Sequence, residues 1–279
     1  MTATNRPSYT FVRGNSAVQG YLTEEIYASL QEIYLDAITG GETVGGATWP
    51  EEMWAQARAL LQEADGVAIA SMNGRVLGFA SVRRREVDGT RILHAMTAVV
   101  RSDSQGIGIG YHLGTRMFID AVRSFHGRPF VMAGRFFNPL GAQAIRKLVS
   151  DGRYVYPQIG SDSRPTEQLV QSARTFARFI GSEGDLDLAT GVLRRTGAAG
   201  PKVLIESGTS DIDTYFATHV DSDRGDQLLL AVQITPTLVV RRAGELAASL
   251  LRLAATRPGH TVRQRRIRRS ERLGTVRAN

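Results

Sequence analysis

The sequence Gln105-Gly106-Ile107-Gly108-Ile109-Gly110 decides how the chain is interpreted, because of what lies on either side of it. Before it, Arg91 to Arg101 is predicted as a strand, and the polar segment Ser102 to Gln105 follows. After it, apolar residues recur every four positions, as they do in a helix, at Leu113, Met117, Ala121 and Phe125. Glycines at a helix N-terminus expose backbone N–H groups that have no helical partner. With the helix dipole, they predict an anion site suited to a pyrophosphate.

Three kinds of phosphate-binding loop compete for this segment. A P-loop ends in Gly-Lys-Ser/Thr, but Gly110 is followed by Tyr111 and His112. A Rossmann loop places G-x-G-x-x-G directly after its strand, whereas here the third glycine is misplaced and polar residues intervene. The pattern Gln105-x-x-Gly108-x-Gly110 resembles the Q/R-x-x-G-x-G/A loop of the GNAT superfamily of N-acetyltransferases. A glycine-rich turn without any ligand is the alternative.

The order of the predicted elements also resembles that family. Two helices, Thr23 to Ile38 and Thr48 to about Glu63, precede three strands joined at the turns Asn73-Gly74 and Asp88-Gly89. We expect Thr48-Trp49-Pro50-Glu51 to form a capping box and Trp54 to lie in the core. The three strands are predicted at 66–72, 75–87 and 91–101, and the apolar stretch 95–100 is expected to be covered on both faces.

After the loop and its helix, Phe130 to Phe136 is predicted as a strand, and Asn138 and Pro139 begin another helix as its N-cap and first residue. The resemblance implies an α/β GNAT fold: a mixed, mostly antiparallel central sheet flanked by helices, with an extended C-terminal region. In that region we expect helices at 166–180 and 243–255, and strands at 191–195, 203–206 and 227–234.

Three segments are predicted from this reading. Residues 1–160 form the GNAT core with the acyl-CoA loop, 161–256 complete the sheet and add helices, and 257–279 form a basic, disordered tail. The tail contains eight arginines and one acid, so it accounts for the whole net charge of +7. It is interpreted as a solvated end, as a contact with nucleic acid or as a docking segment for an acidic partner. Nucleic acid is disfavoured, because the tail has no aromatic residue except His260.

The resemblance implies that acetyl-CoA or another acyl-CoA is the co-substrate. The loop amides would hold its pyrophosphate, and the end of the preceding strand would pair with its pantetheine arm. The residues that this assigns to the co-substrate are Ala98, Val99, Val100, Gln105, Gly106, Ile107, Gly108, Ile109, Gly110, Tyr111 and Asn138. Asn138 would contact coenzyme A besides acting as an N-cap.

The resemblance also implies direct attack of an amine on the thioester, which needs a base, an oxyanion donor and an acid for the thiolate. The backbone N–H near Val99 or Val100 would serve the oxyanion. His94 is the first candidate base and Glu86 the second, although His94 also fits a solvent-exposed residue at a strand edge. Where the family has its tyrosine acid, this chain has Ile145, so Tyr154 and Tyr156 are the candidate acids.

Composition excludes several classes of function. The absence of cysteine removes disulfides, zinc-thiolate sites and cysteine nucleophiles, and the five histidines lack metal-ligand spacing, so no metal is expected. No signal peptide is evident, and the longest uncharged apolar stretch, Leu228 to Val232, is too short to span a membrane. We therefore expect a cytoplasmic protein that does not bind membranes.

The sequence thus predicts an acyl-CoA-dependent N-acyltransferase that acts on an amine of a small molecule, with a homodimer left open. Two alternatives remain. The first is a GNAT-like module that binds coenzyme A, lacks the acid and regulates a partner. The second is an acyltransferase that reaches an amine on RNA or protein through its basic tail.

Overall fold

A computed structural model describes residues 7–40, 48–149, 151–199 and 207–241. The chain divides into one compact unit, residues 1–235, and a second unit, residues 236–279, of which residues 236–241 are described and helical. The predicted boundaries at 160 and 256 stay predictions. The expected strand at 203–206, the helix at 243–255 and the tail at 257–279 lie outside the described residues.

The first unit is built around a sheet with helices on its faces. Its elements in chain order are β1 (Ser8–Arg13), α1 (Asn15–Tyr21), α2 (Glu24–Thr39), α3 (Trp49–Gln62), β2 (Gly66–Met72), β3 (Arg75–Val87), β4 (Thr90–Val100), α4 (Ile109–Ser124), β5 (Phe130–Phe136), α5 (Pro139–Arg146), β6 (Val155–Tyr156), α6 (Glu167–Phe179), β7 (Leu186–Asp187), β8 (Val192–Leu193), α7 (Ser210–His219) and β9 (Gln227–Ile234).

The sheet has nine strands in the order β1-β2-β3-β4-β5-β9-β8-β7, with β6 also pairing with β9. Every pair is antiparallel except β4 and β5, which are parallel and joined through α4. A parallel pair needs such a crossover, because the chain must return to the starting edge. The predicted fold class, a mixed and mostly antiparallel sheet flanked by helices, is confirmed.

Helix α2 shows why the local sequence folds as predicted. The Thr23 side chain accepts a hydrogen bond from the backbone N–H of Ile26, and Gly40 ends the helix in the left-handed conformation. Its apolar stripe buries Leu30 and Ile33 completely, and Tyr34 packs against Trp54 of α3 at 5.7 Å between ring centroids. The prediction that Trp54 belongs to the core is therefore confirmed.

One local prediction is wrong, and two elements were not predicted. Thr48 and Glu51 form no capping box: the Thr48 hydroxyl donates to the Glu52 side chain instead, and Thr48 is already in a helical conformation. Strand β1 and helix α1 were not predicted at all. β1 pairs with β2 along its full length and forms one edge of the sheet.

The expectation that β4 is covered on both faces from Ala95 to Val100 is also wrong. Ile92, Leu93 and His94 are buried, but the residues that follow are partly buried and Ala98 is exposed. The reason is that β5 pairs with β4 only from Ile92 to Ala95. Beyond that point β4 continues without a neighbour on this edge.

Replacing Leu30 by alanine should lower the free energy of unfolding by about 2–5 kcal/mol, because Leu30 is fully buried beneath α3 and the sheet. Chemical denaturation of the purified variant measures this change. The partly exposed Ser29 on the same helix provides the control: S29A should change stability by less than about 0.5 kcal/mol. Equal effects of the two substitutions would contradict the packing described.

Candidate active site

The candidate site is the gap that opens between β4 and β5. The last residues that pair are Ala95 and Gly134. A side-chain carbon on Gly134 would lie 2.8 Å from the Ala95 carbonyl oxygen, so only glycine allows this close approach. Past Gly134, β5 stays paired with β9 on its other edge as far as Phe136. The two parallel strands therefore separate like the arms of a V.

A bulge in β4 coincides with the closed end of the gap. Ser81 pairs with Thr97 and Val82 pairs with Ala95, so Met96 has no partner in β3. An extra residue of this kind bends its strand and increases the local twist. The bend turns β4 away from β5 immediately after their last shared pair.

The faces of β4 beyond the bulge point to different surroundings. Val99 and Met96 pack against the core cluster of α2 and α3. Val100 points to the opposite face, where its side chain lies 3.7 Å from the position of a carbon built on Gly110. The gap is thus bounded by the glycine loop on one face of the sheet and by α2 and α3 on the other.

The glycine loop presents its backbone to solvent. Gly106 and Gly108 have φ values of 79° and 89°, in the left-handed region that glycine adopts freely. The backbone N–H groups from Gly106 to Tyr111 donate to no acceptor in the described part of the chain; the first helical bond is from His112 to the Gly108 carbonyl. Carbon atoms built on Gly106 and Gly108 meet nothing within 4 Å. The loop is an open run of donors at the N-terminus of α4.

The side chains of the loop have different surroundings. Ile109 is buried in the core, so only its backbone N–H is available to a ligand. Ile107 and Tyr111 are 64% and 65% exposed and form an apolar rim. The Gln105 side chain turns back and donates to the Val100 carbonyl at 3.3 Å.

Helix α2 holds the start of this loop in place. Both terminal nitrogens of Arg101 donate to Glu32 at 2.9 Å. Asp36 accepts hydrogen bonds from the backbone N–H and from the hydroxyl of Ser102, at 2.7 and 3.1 Å. These charge-assisted bonds fix the point at which the chain leaves β4 and enters the loop.

His94 lies at the closed end of the gap, but its ring is covered. It is 3% exposed and packs edge-on against Phe176 of α6, with 4.9 Å between ring centroids. The alternative of a solvent-exposed strand-edge histidine is therefore wrong. Burial, with Arg135 and Arg83 nearby, lowers the pKa of His94 from 6.5 to about 3. Such an imidazole is neutral at pH 7 and a weak proton acceptor.

The other predicted catalytic residues lie away from the gap. Glu86 is near the opposite end of β3, beside Arg91 at 3.7 Å. Tyr156 lies on the far edge of β9 from β5, and its hydroxyl donates to the Leu188 carbonyl at 3.1 Å. Burial raises the pKa of Tyr156 above the usual tyrosine range. Tyr154 precedes the same short strand and contacts the Arg153 guanidinium. The structure does not bring these three residues together with the loop.

Asn138 acts as the predicted N-cap, because its side chain accepts the backbone N–H of Leu140 at 2.9 Å. Arg135 was not recognised from the sequence as a site residue. It is the first residue of β5 beyond the last β4 pair, so it stands on the second arm of the V. A cation in a strand, directly after a glycine, is the one signal that could have indicated it.

A separate cavity of about 360 Å³ lies between α5 and the start of α7. Its polar groups are already satisfied by the protein. Arg146 donates to Asp211 at 2.7 Å and to the Ile159 carbonyl at 3.0 Å, and Gln143 donates to Thr209 at 2.7 Å. The gap between β4 and β5, which lies beside the free N–H donors of the glycine loop, is therefore the better candidate for the active site.

Comparisons with known proteins concern the fold. No protein-family model matches the chain, and no curated protein is similar to it. Among solved structures, it is similar to a GNAT family acetyltransferase from Brucella melitensis in complex with acetyl-CoA, with 17% identity over 46% of this chain and 76% of that one, at a TM-score of 0.32. It is also similar to the diaminobutyrate acetyltransferase EctA from Paenibacillus lautus, with 15% identity over 51% and 72% of the two chains, at a TM-score of 0.32.

A GCN5-related N-acetyltransferase from Rhodopseudomonas palustris is a third such structure, with 18% identity over 53% and 82% of the two chains, at a TM-score of 0.34. Two of these three structures are described as GNAT-family or GCN5-related acetyltransferases, the superfamily that the loop sequence resembles. In the described part of the chain, no helix has the length and apolar character needed to cross a bilayer. No cluster of three potential metal ligands is found there either.

Stability should depend on pH through His94. The unfolded chain binds a proton near pH 6.5, whereas the folded chain binds it only near pH 3. Between these values the unfolded state holds more protons, so the free energy of unfolding falls as pH falls, by up to about 1.4 kcal/mol per pH unit. Denaturation at pH 7 and at pH 5 should show this loss in the wild type and a smaller one in H94L. The exposed His126 provides the control, since H126Q should keep the wild-type dependence. An identical pH dependence in H94L would contradict the burial of His94.

Proposed function

We propose that the chain is an acyl-CoA-dependent N-acyltransferase that uses acetyl-CoA and acts on an amine of a small molecule. The observation that carries the proposal is the combination of a V-shaped gap between parallel strands and an open run of N–H donors at its mouth. The donors suit linked phosphates, and the unpaired edge of β4 offers amides and apolar side chains to an extended chain. A ligand with an anionic end and a long extended arm fits both parts.

In this arrangement the backbone N–H groups from Gly106 to Tyr111 bind the pyrophosphate of the acyl-CoA. The pantetheine arm lies along the unpaired edge of β4 from Ala98 to Val100, where its amides replace the missing strand. Exposed apolar side chains on that edge are then covered. Asn138, at the start of α5 beyond the second arm of the gap, stays a proposed contact of coenzyme A.

The reaction forms a C–N bond and breaks the C–S bond of the thioester. The amine nitrogen attacks the carbonyl carbon, and a backbone N–H near Val99 or Val100 stabilises the oxyanion. The ammonium proton must leave before attack, and the thiolate must gain a proton after it. We do not assign the acid to Tyr156, because its hydroxyl is committed to Leu188 and its pKa is raised. Water in the open gap is the proposed proton carrier for both steps.

A thiol-release assay with acetyl-CoA and a panel of primary amines tests the reaction. Thiol should appear only when a suitable amine is present, and mass spectrometry should show the amine heavier by one acetyl group. Absence of transfer with every acyl donor and amine, in a folded protein that binds coenzyme A, would support the regulatory module instead. The missing tyrosine at Ile145 is the observation that favours that second candidate.

Introducing a carboxylate into the loop should abolish coenzyme A binding. Gly110 is the best position, because its φ is not in the left-handed region and G110E adds no backbone strain. The new charge would repel the pyrophosphate and occupy its space. We expect the affinity to fall by at least about 100-fold in calorimetric titration. The control is G114E, one turn further along α4, where a side chain meets open space. If G110E bound coenzyme A as tightly as G114E, the site would lie elsewhere.

The basic tail lies outside the described residues, so transfer to an amine on RNA or protein stays a prediction from the sequence. The cytoplasmic location and the homodimer also stay predictions.

A further inference from the structure

Arg135 is a partly buried cation that the proposed chemistry does not use. Burial lowers the pKa of its guanidinium, although an arginine stays charged at neutral pH. Within the described residues it forms no ion pair with a carboxylate. The ionisable group that affects its pKa is the hydroxyl of Tyr34. A buried charge without a partner is unfavourable unless something offsets it.

Arg83 differs from Arg135 in this respect. Arg83 also lowers the pKa of His94, but it forms an ion pair with Glu63, and its guanidinium lies 4.9 Å from the centre of the Phe179 ring. Its charge is therefore compensated by the protein. The charge of Arg135 is left for a ligand to compensate.

The position of Arg135 places it on the acceptor side of the gap. It follows Gly134, the last residue of β5 that pairs with β4, and it pairs with Leu229 of β9 on the other edge. Leu229 and the neighbouring Ala133 belong to the core cluster beneath α6. Arg135 thus shares the sheet face of α2 and α6, opposite the face of the glycine loop.

The surroundings on this face are apolar. Met96, Val99 and Phe137 pack against the core cluster that includes Tyr34. The hydroxyl of Tyr34 in turn affects the pKa of Arg135. An apolar surface beside a cation that has no carboxylate partner among the described residues favours a ligand with a carbon chain and one anion. The planar guanidinium is suited to a carboxylate, with which it can form two parallel hydrogen bonds.

The geometry points to a specific acceptor class: an amine that also carries a carboxylate, which Arg135 binds while the amine reaches the thioester at the closed end of the gap. The inference rests on the proposed function, because the same gap must hold the acyl-CoA. Arg135 is then the specificity-determining residue of the acceptor subsite.

The test compares amino acids with their own amides at several chain lengths, for example β-alanine and γ-aminobutyrate with β-alaninamide and γ-aminobutyramide. In the thiol-release assay, the wild type should prefer the acid of at least one pair. R135Q should lower kcat/KM for that acid by about 10–100-fold, mainly through KM, and change the amide by less than about three-fold. R135K keeps the positive charge but lacks the planar guanidinium. Its kcat/KM for the acid should therefore lie between the values of the wild type and R135Q. Taurine, with a sulfonate in place of the carboxylate of β-alanine, distinguishes a carboxylate site from a general anion site.

Binding measurements separate this inference from the transferase proposal. Calorimetric titration of the acid into the coenzyme A-bound wild type, R135Q and R135K reports the anion site without turnover. Acid binding that is lost in R135Q, with no transfer to any amine, would keep the anion site and reject the transferase. Two outcomes would overturn the anion site but keep the transferase: equal kcat/KM for acids and amides in the wild type, or an equal loss of kcat/KM for both in R135Q.

Unchanged coenzyme A affinity in R135Q and R135K confirms in each case that the glycine loop is intact.

Discussion

Separation of β4 from β5 is the constraint on which the rest of the site depends. The strands are held together over a short stretch that ends where Gly134 passes close to the Ala95 carbonyl. The bulge at Met96 then bends β4, while β9 keeps β5 straight on its other edge. A sheet interior normally has both of its backbone edges paired. Here one edge of β4 is left open beyond Ala95, so its amides and apolar side chains are accessible inside the sheet rather than on its rim.

The remaining elements stabilise this opening and define its two sides. Helix α4 begins at the mouth of the gap and directs its free N–H groups there, whereas α2, α3 and α6 cover the opposite face. His94 shows what this arrangement requires, because its imidazole is enclosed by Phe176 and Phe179 at the point where the strands separate. A neutral ring is tolerated in that position, but a charged one is disfavoured.

Local signals in the sequence were sufficient for most elements of the core. β2, β3, β5 and β9 have the predicted bounds, because turns such as Asn73-Gly74 limit them sharply. Helix α2 lies within one residue of its predicted bounds, and the helix at 167–179 was also located correctly. Strand β1 was missed, since a short edge strand offers only a few alternating residues and lies in a stretch that is polar on average.

The site could be predicted only where chemistry is local. The loop glycines indicated an anion site because their conformational freedom is a property of the residues themselves. The bulge at Met96 has no such signature, because it depends on where β5 stops pairing. The burial of His94 depends on α6, which is distant in sequence, and so its pKa could not be anticipated. Arg135 could not be recognised for the same reason. The sequence does not show that no carboxylate among the described residues pairs with it.

The bonds from Glu32 and Asp36 to the residues that begin the loop have a thermodynamic consequence. One helix therefore contributes Tyr34 to the environment of Arg135 and also anchors the residues that enter the glycine loop. If the two proposed ligands both shift the position of this helix, the binding of one changes the affinity for the other. Such coupling must be reciprocal, because each ligand changes the affinity for the other by the same factor.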